Sequence, residues 1–261
     1  MRSHSIVDSL WEIGRAYGTS PRAFSAPVTI TNGSKNVLLI IKLDAIGDVL
    51  RTTALLPALA EAHPRASITW ITRREARPLL EGNPYISEIL DYGEDALLQL
   101  RVRAFDRVIN LDAGKTSAAL ASAANASRKD GFILDARGCV QPTNAAARTW
   151  LEMGVFDDLK RQGTKTYQDM MADIIGLSGR PHRYVLELTE DERERGRMAF
   201  KKLGLDFYLP IIGLNTGAGR RWELKQWREE GYLELIERVA KNGPHSSCFL
   251  ADRRNASGTN D

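Results

Sequence analysis

Five apolar residues, Val37–Ile41, run straight into Lys42-Leu43-Asp44-Ala45-Ile46-Gly47-Asp48-Val49-Leu50-Arg51-Thr52-Thr53. This junction constrains the fold more than any other segment. An unbroken apolar run of that length reads as a strand buried on both faces. Beyond it Val49, Thr52, Thr53, Leu56, Leu59 and Ala60 recur at helical spacing. A strand therefore turns sharply into a helix, with a glycine at the turn and a carboxylate at the helix start. Open α/β sheets bind ligands outside the carboxyl ends of their parallel strands, so this turn is where chemistry is expected.

The alternation continues. Strands are expected at Val37–Ile41, Ser67–Ile71, Glu88–Leu90, Asp106–Leu111 and Gly131–Leu134. Helices are expected at Asp48–Ala62, Arg74–Glu81, Ala96–Arg101 and Thr116–Ala124. Strands alternating with helices predict a doubly wound parallel sheet. Residues 144–176 read as one or two helices, Tyr184–Leu188 as a strand, and Thr189–Lys202 as a charged helix capped by Thr189. Residues 1–35 read as an arm: Ile6, Leu10, Ile13 and Tyr17 suit one face of a short helix, and Gly18–Lys35 has the Ser, Thr, Pro and Gly content of a linker.

At Leu209 the pattern restarts. Leu209–Leu214 is a second buried strand, the loop Asn215-Thr216-Gly217-Ala218-Gly219 follows, and a helix runs from about Lys225 to Ala240. The expected division is an arm (1–35), a first Rossmann-like lobe (36–188), the start of a second (189–243) and an aberrant or disordered tail (244–261). Two such lobes facing each other would hold a ligand between them. The polar tail from Pro244 offers no further helix, which predicts a truncated product with a frame change near Gly243.

Composition narrows the class. With 43% apolar and 26% charged residues the chain is an ordinary globular protein. A net charge of +3 is too small to imply nucleic-acid binding. Cys139 and Cys248 lie far apart, which predicts neither a disulfide framework nor a zinc site and suits a reducing cytosol. No apolar run is long enough to span a bilayer, and the N-terminus lacks a secretory core.

Several chemistries are disfavoured. Gly114-Lys115-Thr116 imitates the end of a P-loop, but Ile109 stands where its first glycine belongs. No GxGxxG follows either leading strand. No Asp-x-Asp triplet or Gly-x-Ser-x-Gly elbow occurs. His4, His63, His182 and His245 lack ligand spacing.

Three segments resemble glycosyltransferase family 9, the heptosyltransferases of lipopolysaccharide assembly. The first is Ile46-Gly47-Asp48-Val49-Leu50 with Thr52-Thr53, Leu55-Leu56-Pro57-Ala58-Leu59 and His63-Pro64. The second is Phe105-Asp106-Arg107-Val108-Ile109-Asn110-Leu111-Asp112, and the third is Gly213-Leu214-Asn215-Thr216-Gly217-Ala218 with Lys225-Gln226-Trp227. Together they cover roughly Val37 to Gly243. The resemblance implies a GT-B architecture of two Rossmann-like lobes, with the second incomplete here, and metal-independent, inverting transfer without a cofactor. The implied donor is a nucleotide-activated sugar, usually ADP-heptose. The implied acceptor is the lipid A inner core or another glycan, met in the cytoplasm at the inner membrane face. Arg228 replaces the family's proline after Lys-x-Trp, and the family's later Asp-Thr/Ser-Gly run with a following histidine is absent.

On this resemblance Asp48 is the base that takes the acceptor's proton; without it, Asp48 reads as a first-turn acid offsetting the helix dipole. Gly47 would let a ligand approach the backbone, and Lys42 would line the cleft. Thr216, Gly217 and Ala218 would offer N–H groups to the donor phosphates, and Lys225 would add positive charge to the leaving diphosphate. Trp222 and Trp227 read as packing residues. Arg73, Arg74, Arg77, Arg101 and Arg103 read first as a solvated basic face that could meet an anionic head group. Competing readings are a catalytically silent fragment lacking the donor half, and another GT-B-fold nucleotide-sugar enzyme, such as an epimerase.

Overall fold

Buried strands dictate the first part of the molecule. The computed structural model describes residues 36–180, 183–205, 208–209, 211–215, 227–241 and 246–250. The expected arm helix and Thr216, Gly217, Ala218, Trp222 and Lys225 lie outside them. The chain divides into two units, one built around Pro84–Val185 and the segment before Leu80, the other around Leu186 onward with Glu81–Asn83.

In the first unit β1 (Val37–Ile41), β2 (Ser67–Thr72), β3 (Glu88–Asp91), β4 (Ala104–Asn110), β5 (Asn125–Leu134) and β6 (Val140–Pro142) form one sheet in the order β3-β2-β1-β4-β5-β6. The pairs β1–β2, β1–β4, β2–β3 and β4–β5 are parallel, and only β6 is antiparallel. The strand order reverses at β1, which places the turn after β1 at a switch point.

Helices cover both faces. On one, α1 (Ile46–Thr52), a 3₁₀ turn (Thr53–Leu55) and α2 (Leu56–Ala62) pack with α5 (Ala145–Val155) and α7 (Tyr167–Ile174) over Leu38, Ile40, Ile68, Trp70 and Ile109. On the other, α3 (Glu94–Val102) and α4 (Lys115–Ala123) cover Leu39, Ile41, Ile71 and Val108. A short α6 (Asp157–Gln162) joins α5 to α7.

Four expectations change. The helix expected at Arg74–Glu81 is a 3₁₀ segment, Arg74–Leu79, with Pro78 inside it. The single helix Asp48–Ala62 is broken at Thr53–Leu55. Pro57 has no N–H to give to the preceding turn, while Thr53 Oγ1 donates to Leu50 O at 2.7 Å. Residues 144–176 form three helices rather than one or two; α7 starts on a Thr166–Asp169 capping box. Tyr184–Leu188 is extended but pairs with no strand: its alternate side chains Tyr184, Leu186 and Leu188 are exposed, and Val185 N donates to Thr53 Oγ1 at 3.0 Å.

The second unit holds α8 (Glu190–Lys202), capped by a Thr189–Glu192 box, with acids in its first turn and lysines in its last. It also holds β7 (Ile211–Asn215), α9 (Glu229–Lys241) and β8 (Ser246–Leu250). Here the expected tail is corrected. Residues 246–250 pair in parallel with β7 in register from Ile211↔Ser246 to Asn215↔Leu250. The β-rich run Cys248-Phe249-Leu250 supplies the due strand despite the two serines before it, and β7-α9-β8 is a complete βαβ unit.

One glycine is demanded by this packing. Gly131 has φ +101°, and a Cβ there would stand 1.8 Å from Asn110 O. At Gly47 an added Cβ meets nothing within 4 Å. Gly131→Ala is expected to cost about 3 kcal/mol or more, while Gly47→Ala in the exposed first turn changes stability by no more than about 1 kcal/mol. Urea unfolding of the two variants checks the contrast.

Candidate active site

The loops after β1, β2 and β4 emerge at the same edge of the sheet because their strands are parallel. They are tied together by Asp112, two residues past the end of β4. Its carboxylate bonds Lys42 Nζ, and Oδ2 accepts from Leu43 N at 2.5 Å and Asp44 N at 3.3 Å. Asp112 is itself held: its N–H donates to Asn110 Oδ1 at 3.1 Å, Asn110 Nδ2 donates to Phe132 O at 2.7 Å, and Ser117 Oγ donates to Asp112 O at 2.9 Å. From the β2 side, Arg73 Nε reaches Asp44 Oδ1 at 2.8 Å.

Lys42 is 3% exposed. It supports the loop from beneath, with its charge spent on Asp112. Burial pulls its pKa down; Asp112, then Tyr167, the Asp112 hydrogen bond and Asp48 more than offset that, so the ammonium is held above the usual lysine range. A buried ammonium needs such a counter-ion.

This loop delivers Asp48 in the first turn of α1. The Asp48 side chain is 36% exposed, and Arg51 Nη1 donates to its Oδ1 at 2.9 Å. The Arg51 guanidinium lies 3.8 Å from the ring centre of Tyr167. Trp150 meets that ring edge-on at 5.6 Å and 75°. Tyr167 Oη and Thr52 Oγ1 are 3.3 Å apart, and Thr52 Oγ1 donates to Asp48 O at 2.7 Å. The guanidinium thus holds one oxygen of this partly exposed carboxylate, and Lys42 lies within electrostatic reach of it. Gly47 lies beside it with open space above its Cα.

Of the sequence candidates, Gly47 and Asp48 lie exposed or half-exposed at this edge, whereas Lys42, expected to line the cleft, is buried on Asp112 instead. Asp112, which closes the second resembling segment with no role assigned from sequence, and Tyr167 join them. The signal for Asp112 was available: a lysine closing an apolar strand calls for a buried anion on a neighbouring strand end. Nothing local marked Tyr167. The basic face is largely neutralised: Arg73 pairs with Asp44, Arg77 with Asp91, and Arg103 with Glu88. A groove of about 810 Å³, lined by Trp150, Met153, Met170 and Asp173 among others, does not include Asp48.

In the second unit Trp227 packs edge-on against Tyr232, with ring centres 5.2 Å apart, and covers Gly231, where a Cβ would stand 2.4 Å from the indole. Trp227 is a packing residue. Tyr232 Oη donates to Asn215 O at 3.3 Å, linking α9 to the end of β7.

A mostly parallel sheet with helices on both faces defines a doubly wound α/β fold, and the comparisons name the family. The model of glycosyltransferase family 9 (heptosyltransferase) matches residues 97–258, more than half of the chain, and the protein belongs to that family. The match passes Gly243 and continues to residue 258, so the frame change expected there is not supported. Among solved structures the chain is similar to the family 9 glycosyltransferase of Veillonella parvula DSM 2008, at 20% identity and TM-score 0.65 over 84% of this chain and 63% of that one. It is also similar to E. coli ADP-heptose lps heptosyltransferase II, at 20% identity and TM-score 0.56 over 84% and 65%. E. coli heptosyltransferase WaaC with ADP matches at 16% identity and TM-score 0.52 over 82% and 67%. The chain thus spans less than two thirds of the first two relatives' length. A search of curated proteins finds no match. Among the described residues no helix is long and apolar enough to cross a membrane.

Proposed function

We propose that the protein transfers a sugar from a nucleotide-activated donor to a lipopolysaccharide core or related glycan, with inversion and without a metal, at the inner face of the cytoplasmic membrane. ADP-heptose is the donor best supported, because two of the solved structures the chain is similar to are an ADP-heptose lps heptosyltransferase and a heptosyltransferase with ADP. The observation that carries the reading is Asp48: a partly exposed, guanidinium-held carboxylate at the switch point of a family 9 chain. In this mechanism Asp48 takes the proton of the acceptor hydroxyl as its oxygen attacks the anomeric carbon. The bond from that carbon to the diphosphate breaks, and the electron pair leaves with ADP. Thr216, Gly217 and Ala218 would meet the phosphates with backbone N–H groups, and Lys225 would offset the charge that develops there.

The test incubates the protein with ADP-heptose and heptose-deficient lipopolysaccharide and follows ADP release together with the mass of the glycan. Acceptor-dependent ADP release with a gain of one heptose is expected. A second reading, folding and binding without transfer, draws on the coverage of 63% and 65% of the relatives. It predicts no mass gain. Isomerised sugar without an acceptor would indicate a nucleotide-sugar epimerase instead. Calorimetry with ADP examines the donor side: Lys225→Ala is expected to weaken binding about tenfold, the worth of one charge-assisted contact. Absence of ADP binding at millimolar concentration would remove the donor site from the proposal.

A further inference from the structure

We propose that Arg51, whose guanidinium sits over the ring of Tyr167, is the positioning residue of the base: it occupies one oxygen of Asp48 and leaves the other to receive the proton. This rests on the reading of Asp48 given above and deepens it. An exposed ion pair three residues apart on a helix ordinarily holds no fixed geometry, since both side chains keep their rotamer freedom. Here the geometry is closed. Asp48 Oδ1 accepts from Arg51 at 2.9 Å, and Arg51 stacks at 3.8 Å on Tyr167. Tyr167 Oη contacts Thr52 Oγ1, and Thr52 Oγ1 returns to the main-chain oxygen of Asp48 itself. Trp150 packs edge-on with the same ring, and Tyr167 begins a helix locked by a capping box. Among the described residues no hydrogen bond reaches Asp48 Oδ2.

The arrangement separates two tasks that one carboxylate cannot share between equivalent oxygens. Oδ1 anchors the group against rotation, and Oδ2 is the proton acceptor. Arg51 touches neither reacting atom in this assignment, so it acts through Asp48. The ring of Tyr167 matters for its face, which a leucine cannot provide and a phenylalanine can.

Arg51→Met, Tyr167→Leu and Tyr167→Phe test this by two readouts. The first is sugar transfer from ADP-heptose to heptose-deficient lipopolysaccharide. Arg51→Met and Tyr167→Leu are expected to lower kcat about 10- to 100-fold with KM for ADP-heptose unchanged, as misplacement of a reacting group does. Tyr167→Phe recovers most of that loss. The second needs no turnover: carbodiimide-driven coupling of glycine ethyl ester to Asp48, quantified by peptide mass spectrometry against Asp95. Labelling of Asp48 is expected to rise several-fold in Arg51→Met and Tyr167→Leu and to stay near the wild-type level in Tyr167→Phe. Wild-type labelling in Arg51→Met, or a loss confined to KM, overturns the assignment. Should the wild-type protein transfer no sugar, the function proposed above falls, and the labelling still decides the clamp. The Arg51 side chain is 42% exposed and lies outside the hydrophobic core, so its variant keeps the test open if Tyr167→Leu fails to fold.

Discussion

Asp48→Asn is expected to lower kcat for heptose transfer by about 10²–10⁴-fold, the range that a positioned general base contributes, while ADP binds as it does to the wild-type protein. Asparagine keeps the size of the side chain and one oxygen for Arg51 Nη1, so the Arg51–Tyr167 stack and the first turn of α1 have no reason to move. It removes the ability to accept a proton. The first-turn position also lets Asp48 offset the α1 dipole, a contribution of about 0.3–1 kcal/mol, and the substitution tests both roles at once. A purely structural Asp48 would cost that stability and leave turnover intact. Steady-state kinetics beside a thermal melt separate the two, and unchanged kcat removes Asp48 from the mechanism.

Asp112→Ala is expected to destabilise the first unit by about 3–5 kcal/mol, the usual cost of leaving one partner of a buried ion pair alone. The loss is compound: Lys42 keeps its charge at 3% exposure, and the Leu43 and Asp44 N–H groups lose their acceptor. The double variant Lys42→Met/Asp112→Asn, which removes both charges and keeps an amide oxygen for the two N–H groups, should recover most of the deficit. Urea unfolding followed by the fluorescence of Trp70, which is buried on β2, measures each. The pH dependence has a defined sign. Lys42 is held above the ordinary lysine range, so its contribution is complete below the unfolded lysine value of about 10.4 and disappears as pH rises through the higher folded value. The wild-type melting temperature should therefore drop at the alkaline end more steeply than that of the double variant. Parallel slopes would show that the pair does not carry the coupling.

The legible parts of this molecule are those where a single local pattern decides. Val37–Ile41 admits only a strand, and the glycine, carboxylate and helical apolar spacing after it admit only a turn into a helix, so the location of Asp48 follows. Thr189 with Glu192 is a complete capping signal, and the helix it starts is found where expected. The misses have physical causes. Thr52 and Thr53 spend their hydroxyls on the helix backbone ahead of Pro57, which breaks a helix whose apolar spacing looked continuous. Tyr184, Leu186 and Leu188 alternate like a strand, but a strand also needs a neighbour with free backbone groups. Ser246–Leu250 has a polar start that argues against a strand, yet five parallel register positions against β7 suffice. Tyr167 reaches Arg51 from 116 positions further along the chain, a distance at which no spacing rule operates.

The two outermost strands of the six-stranded sheet carry a consequence for how the protein behaves at high concentration. At one border β3 is four residues long, and Glu88 and Asp91 on it are engaged by Arg103 and Arg77. At the other, β6 has three residues and ends on Pro142, which has no N–H to donate. Brevity, charge and proline are the devices that stop a neighbouring molecule from zipping on by its backbone. This lobe is built to resist fibril-like stacking through its own rims.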